Sequence, residues 1–241
     1  MIRLILAALF LVVFLILSLP VQLVLWLISF KWPKFPDKVS YPLVGWAFRV
    51  LEFLVGSKLT VIGLDRVPRD TPVLYIGNHR SFFDTVFTYS RIVRPTIYLA
   101  KMGTKKVPGL NIWMYIMHCI FLDRDNIKQG LQCILKCIDL VNDGYSVTIF
   151  PEGTRNHNEG TLMPFHEGSF KVATKTGIPI VPIAISGSGD VFEDHLPWIK
   201  KTNVKIEYLE PIYIDRLEPE EKKHIGAYTR SKIAEAMGIE P

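Results

Sequence analysis

The chain has 241 residues, 49% apolar and 21% charged, which excludes disorder for most of its length and allows one sizeable domain plus an anchor. Its 28 Lys and Arg against 23 Asp and Glu give a formal charge of +5, which suits an anionic partner without choosing among membrane, phosphorylated substrate and nucleic acid. Three cysteines, Cys119, Cys133 and Cys137, form neither a disulfide framework nor paired zinc spacing and read as buried free thiols.

In chain order, the first element belongs in lipid. Leu4 to Phe30 runs 27 residues without a charge, where about 20 suffice for a helix to cross a bilayer. The run exceeds the roughly 7 to 15 residues of a signal-peptide core, and no clear cleavage site follows it. Pro20 is expected to kink or divide the helix, because its ring removes a backbone donor and crowds the preceding turn. Lys31, Lys34 and Lys38 then alternate with Trp32 and Phe35, a mixture suited to the headgroup zone of an anionic leaflet. A second apolar stretch, Tyr41 to Gly56, carries Arg49 and Glu52 together on one helical side, as an interfacial helix would. Two arrangements follow: a spanning helix with a surface helix behind it, or a helical hairpin embedded in one leaflet. If the first helix spans, the three lysines outweigh Arg3 and the amino terminus and put the rest of the chain on the cytoplasmic side.

From Ser57 the text alternates short apolar runs with helical ones, the pattern of an α/β domain with a central mixed sheet of about seven strands flanked by helices. Expected strands are Leu59 to Gly63, Pro72 to Asn78, Thr96 to Ala100, Cys119 to Asp123, Ser146 to Phe150, Ile180 to Ile185 and Val204 to Glu210. Between them, Asp125 is expected to cap a helix through Asn142, with Ile127, Leu131, Ile134, Leu135, Ile138 and Val141 on one face and Gly144 beyond its end. A last helix is expected from about Pro219 to Met237, stopping near Gly238.

The stretch NHRSFFD, Asn78 to Asp84, sets a histidine and an aspartate five apart. On one regular helix that spacing turns the two side chains about 140° from each other, so the helix must begin between them. Ser81 is a good N-cap, with Asp84 at the third helical position as in a capping box. His79 then lies in the strand-to-helix turn and folds back over Asp84. The carboxylate would fix the imidazole tautomer and leave the other ring nitrogen as a base acting near neutral pH. FPEGTR, Phe150 to Arg155, directly follows another expected strand, with Pro151 ending the ladder and Gly153 allowing a tight turn. Arg155 offers a planar fork suited to phosphate, and Glu152 either holds that fork or binds a hydroxyl.

NHRSFFD, IFLDR (Ile120 to Arg124), FPEGTR and VPI (Val181 to Ile183), in that order, resemble the glycerolipid acyltransferase family typified by 1-acyl-sn-glycerol-3-phosphate acyltransferases. The similarity runs from about Leu59 to Pro211. It implies transfer of a fatty acyl group from acyl-CoA or acyl carrier protein to the sn-2 hydroxyl of lysophosphatidic acid, giving phosphatidic acid. The anchor would then occupy 1–56 and the catalytic domain 57–241. By the resemblance, His79 is the general base and Asp84 its orienter, while Arg124, Glu152, Gly153, Thr154 and Arg155 shape the acceptor site. Arg80 stands where the family often has Gln, adding a positive charge beside the site.

The chemistry of the residues agrees. A thioester is activated enough that one oriented base suffices, with no enzyme nucleophile. Backbone amides at the helix start near Ser81 or in the Gly153 turn are candidate oxyanion donors. Lys101, Lys105 and Lys106 add charge, Lys105 toward substrate, or else form a solvated or membrane-facing patch. No GxSxG elbow or phosphate-binding GxxxxGK loop occurs. His118, His157, His166, His195 and His224 form no close ligand pair, so no metal is expected; the resemblance implies no cofactor and no nucleic-acid partner. The alternatives are acylation of another lysophospholipid, or a membrane-anchored lipid-binding protein without turnover.

Overall fold

Ser18 and Pro20 divide the apolar amino-terminal run. In the computed structural model, which describes residues 1–123, 126–158 and 160–240, α1 (Ile2–Leu17) and α2 (Leu19–Ser29) are bent by 45° at this break. Pro20 sits in the first turn of α2, where its missing N–H costs nothing. Ser18 ties the break to the body, accepting from the indole nitrogen of Trp113 at 2.9 Å and from Gln22 at 3.1 Å. Among the described residues no single helix is long and apolar enough to cross a membrane; the bent pair passes that test only together.

The third helix, α3 (Phe35–Val55), begins before the apolar stretch read from the sequence and ends on Gly56 in the left-handed conformation. Its Arg49 and Glu52 do not face a headgroup zone. Glu52 pairs with Arg91 at 2.8 Å and Arg49 donates to the Ser90 carbonyl at 3.4 Å, so this charged side of α3 grips the body.

All seven expected strands form: β1 (Lys58–Ile62), β2 (Leu74–Gly77), β3 (Thr96–Lys101), β4 (Ile120–Leu122), β5 (Ser146–Ile149), β6 (Ile180–Ser186) and β7 (Asn203–Tyr208). They make one mixed sheet in the order β1-β7-β6-β2-β5-β3-β4. The five strands from β6 to β4 are parallel, and β7 meets β6 antiparallel. Successive residues of a strand point to opposite faces, and both faces are covered. Leu74 and Ile76 of β2 pack with Cys137, Val172 and Ile233 on one side, while Val73 and Tyr75 pack with Phe87, Leu51 and Val55 on the other. This double cover is why the central strands read as unbroken apolar runs. Residues of α2 and α3, Leu25, Tyr41 and Val44 among them, belong to the same core as β2 and β5.

Besides α1, α2 and α3, the helices are α4 (Phe82–Tyr89), α5 (Leu110–Ile116), α6 (Ile127–Asn142), α7 (Lys171–Thr176), α8 (Pro219–Lys223), which buries no residue, and α9 (Ile225–Met237). Asp125, the expected cap of α6, lies outside the described residues, as does the side chain of Ile127; Asn126 caps the helix, accepting from the Gln129 amide at 3.0 Å. The buried face of α6 is Cys133, Cys137 and Val141, whereas Leu131 and Leu135 are 62% and 53% exposed. The expected face is thus rotated, because small thiols rather than the larger leucines meet the sheet. The carboxy-terminal helix is split at His224, where Gly226 N finds the Glu167 carboxylate at 3.0 Å and starts α9 afresh.

Candidate active site

Because β6, β2 and β5 are parallel neighbours, the loops leaving their carboxyl ends converge on one edge of the sheet, the usual place for a ligand in an open α/β sheet. Beyond β2, the buried Asn78 side chain extends the pairing to β6, giving to Ile185 O and accepting from Ile185 N, both at 2.8 Å. His79 follows in the turn and α4 starts after Ser81.

The turn brings together the two residues whose spacing forbids their meeting on a helix. His79 Nδ1 lies 2.8 Å from Asp84 Oδ2. That same oxygen accepts the backbone amides of Arg80 and Ser81, each at 2.8 Å, and the Ser81 hydroxyl accepts from Phe83 N at 3.0 Å. This is the expected capping box, with the carboxylate fully buried. An Asp84 oxygen already accepting two N–H groups acts as an acceptor toward Nδ1 as well, which puts the proton on Nδ1 and the lone pair on Nε2. Phe150, at the end of β5, stacks on the imidazole with centroids 4.3 Å apart and an interplanar angle of 14°. The ring is held at its edge and on its face.

FPEGTR backs this turn. Glu152 is buried, and its carboxylate accepts His79 N at 2.9 Å and Met163 N at 3.2 Å. It therefore does not hold the Arg155 fork, one of its two expected uses. Burial pushes its carboxyl above the ordinary glutamate value, against the opposing pull of those two amides. Asn156 N donates to the His79 carbonyl at 2.7 Å, so the backbone of His79 is pinned from both sides by the neighbouring loop. Gly153 has φ +71°, and a Cβ there would lie 3.2 Å from the His166 ring.

Gly153 and Thr154 open onto a cavity of about 510 Å³, shared with Lys101, Asp123, Glu152 and His166 at the ends of β3, β4 and β5. Lys101, rather than Lys105, lines it; Lys105 instead lies 5.9 Å over the Tyr115 ring. Arg124 lies outside the described residues. A second cavity of about 610 Å³, mainly apolar, lies between α2 and α5 with Trp26, Ile112 and His118 on its walls. Among the described residues no group of three or more His, Cys, Asp or Glu is placed to hold a metal.

Two expectations change in the structure. Arg80 adds no free charge, since its guanidinium is buried and bonds Asp194 at 2.8 Å. The amides at the helix start are not spare oxyanion donors either. Those of Arg80 and Ser81 serve Asp84, Phe82 N serves Glu193 at 2.8 Å, Phe83 N serves Ser81, and Gly153 N is bonded to Phe150 O at 3.1 Å. Sequence reasoning missed Glu193 and Asp194 because they follow β6 in a polar turn, and nothing in their spacing points back to residues 80–82.

The site thus defined is a histidine held by a buried carboxylate at the mouth of a mixed α/β sheet, with an arginine-bearing loop beside it. The chain belongs to the acyltransferase family: the family model described as Acyltransferase matches residues 58–186. A 1-acyl-sn-glycerol-3-phosphate acyltransferase of Haemophilus influenzae is 30% identical over 201 residues, covering 81% of this chain and 80% of that one. The chloroplast protein of the same name from Brassica napus is 33% identical over 184 residues, 76% of this chain and 52% of that one. The chain therefore spans about half the length of that plant relative. The crystal structure of the 1-acyl-sn-glycerophosphate acyltransferase PlsC from Thermotoga maritima matches with a TM-score of 0.73 at 19% identity, covering 98% of this chain and 97% of that one, and so shares the fold.

Proposed function

We propose that the protein transfers a fatty acyl group from a thioester donor, acyl-CoA or acyl carrier protein, to the sn-2 hydroxyl of 1-acyl-sn-glycerol-3-phosphate. The observation that carries this reading is the His79 to Asp84 contact of 2.8 Å, set beside a loop bearing Arg155 at the carboxyl edge of the sheet. His79 Nε2 takes the hydroxyl proton while the oxygen attacks the thioester carbonyl. The tetrahedral oxyanion then collapses, the C–S bond breaks, and the imidazolium returns the proton to the departing thiolate. Asp84 keeps Nδ1 protonated throughout and stabilises the imidazolium. The amides of Thr154 and Arg155, which have no partner among the described residues, are the remaining backbone donors for the oxyanion. Arg155 with Lys101 and Arg124 supplies positive charge for the phosphate, and Thr154 lines the cavity beside them. The charge of Arg80 is paired with Asp194 and is not offered to the acceptor headgroup.

The reading includes a membrane, with 1–56 as anchor and 57–241 as catalytic domain. α1 and α2 expose Leu9, Val12, Ile16, Leu23, Trp26 and Phe30, a patch that a soluble surface does not leave uncovered. Arg3, at the start of α1, donates to the Leu54 carbonyl at the end of α3 at 3.4 Å, and Lys34, past the end of α2, to the Asp143 carbonyl of the body at 3.3 Å. This supports a hairpin in one leaflet over a span, and Lys31, Lys34 and Lys38 favour the anionic cytoplasmic leaflet.

The test crosses lysolipid headgroups with acyl-CoA and acyl carrier protein donors, for the purified protein and for His79→Ala. Wild type is expected to form phosphatidic acid from lysophosphatidic acid, and the alanine variant to lose at least about 10²-fold of that rate. Turnover retained by His79→Ala refutes the base, and no turnover with any donor and lysolipid leaves a lipid-binding protein.

A further inference from the structure

A clamp from the turn after β6 closes over the active-site loops. The Glu193 side chain is 5% exposed. One oxygen accepts the Ser81 hydroxyl at 2.5 Å; the other accepts Phe82 N and the Arg155 guanidinium, each at 2.8 Å. Asp194 beside it bonds Arg80. Gly189, one turn earlier, leaves the room for this: a Cβ there would lie 2.6 Å from Asp194 Oδ2 and 2.7 Å from the Arg80 guanidinium.

We infer that Glu193 is a positioning residue, fixing in one frame the helix start that carries the catalytic dyad and the guanidinium that meets the acceptor's phosphate. The inference rests on the reading of Arg155 as that phosphate's partner. The Arg155 side chain is 45% exposed, so its ion pair adds little to stability. Its use is in aim. One guanidinium nitrogen is occupied by Glu193, and the rest of the fork remains for a phosphate monoester. Without the carboxylate, a long side chain on an exposed loop would sample many rotamers, and binding would first have to order it.

Glu193→Gln keeps size and an acceptor for the helix start but removes the charge facing Arg155. Its KM for lysophosphatidic acid is expected to rise about tenfold, with kcat changing less than about threefold and the KM of the acyl donor unmoved. Arg155→Ala should raise the same KM, and adding Glu193→Gln to it should raise KM no further, because the glutamate acts through the arginine. Glu193→Asp, which retains the charge, should lie closer to wild type than Glu193→Gln and serves if the latter does not fold. An equal further rise in the Arg155→Ala background overturns the inference while leaving Arg155 its role. An aspartate variant as impaired as the glutamine one also overturns it. A KM untouched by Arg155→Ala sinks the acceptor reading of that arginine and the inference with it.

Discussion

Glu152 occupies the place of a substrate ligand in the text and does something else in the fold. Its carboxylate holds the His79 and Met163 amides and is buried. Burial raises its carboxyl above the 4.5 of a free glutamate. The sign of the pH effect follows: between 4.5 and the folded value the native state binds more proton than the unfolded one. The group's contribution to stability is therefore fully present below the lower value and is lost as pH rises through the upper one. Glu152→Gln cannot titrate, and it sets an amide N–H against one of two backbone N–H groups, at a cost of about 1 to 3 kcal/mol. Urea unfolding over a pH series from 4.5 to 7 should show the variant less stable at the acid end, with the gap to wild type narrowing as pH rises. A widening gap would mean that burial is not the dominant influence on this carboxyl. The sequence could place His79 against Asp84 because a helix start between two residues is a local event, read from Ser81 alone. It could not assign Glu152, since the amide it serves lies 73 positions away and becomes a neighbour only when β2 and β5 pair.

At the scale of elements the same division holds. The strands were legible, the central ones because double cover makes each a short apolar run between turn residues, β1 and β7 by alternation of more and less exposed residues. The break in the amino-terminal run was legible at Pro20, since a ring without an N–H is tolerated in a first turn and disfavoured further in, although Pro42 lies inside α3. The orientation of α6 was not. Residues two apart on a helix differ by about 200°, so Cys133 and Cys137 face the sheet only if Leu131 and Leu135 turn outward. Counting leucines as core and cysteines as neutral turns the face partly away from the sheet, although Ile134 and Val141 of that face do meet the core. This reassignment predicts that replacing Leu131 and Leu135 together by Gln shifts stability within about 0.5 kcal/mol per site. Cys137→Ser, which sets a hydroxyl among apolar side chains at a fully buried position, should cost about 1 to 3 kcal/mol. Denaturant midpoints of the two variants decide between the faces, and the earlier face is restored if the leucine pair is the more damaging change.

For the whole molecule, the proposed membrane reading turns on which side of a bilayer each end of the amino-terminal pair would occupy. The 16 residues of α1 make about 24 Å of helix and the 11 of α2 about 16 Å, and each falls short of the roughly 30 Å hydrocarbon core. Straight, the two together would measure about 40 Å, and bent by 45° they still reach about 37 Å end to end; what argues against a span is contact with the domain, Ser18 being held by Trp113. Arg3 beside Leu54 and Lys34 beside Asp143 put both ends on the domain's side. Cysteine labelling reads this directly, because the native thiols are quiet: burial pushes Cys119 up to about 11 and Cys137 up to about 12, and raises Cys133 as well, which suppresses the reactive thiolate. Single cysteines introduced at Ile2 and at Lys31, with a reporter at the exposed His157, would be treated with a membrane-impermeant maleimide in sealed vesicles of one orientation. A hairpin in one leaflet requires all three to label together or to be protected together. Modification of Ile2→Cys from the face opposite to His157→Cys would establish a span, and with it a fold in which the contacts of Arg3 and Ser18 are broken in the membrane.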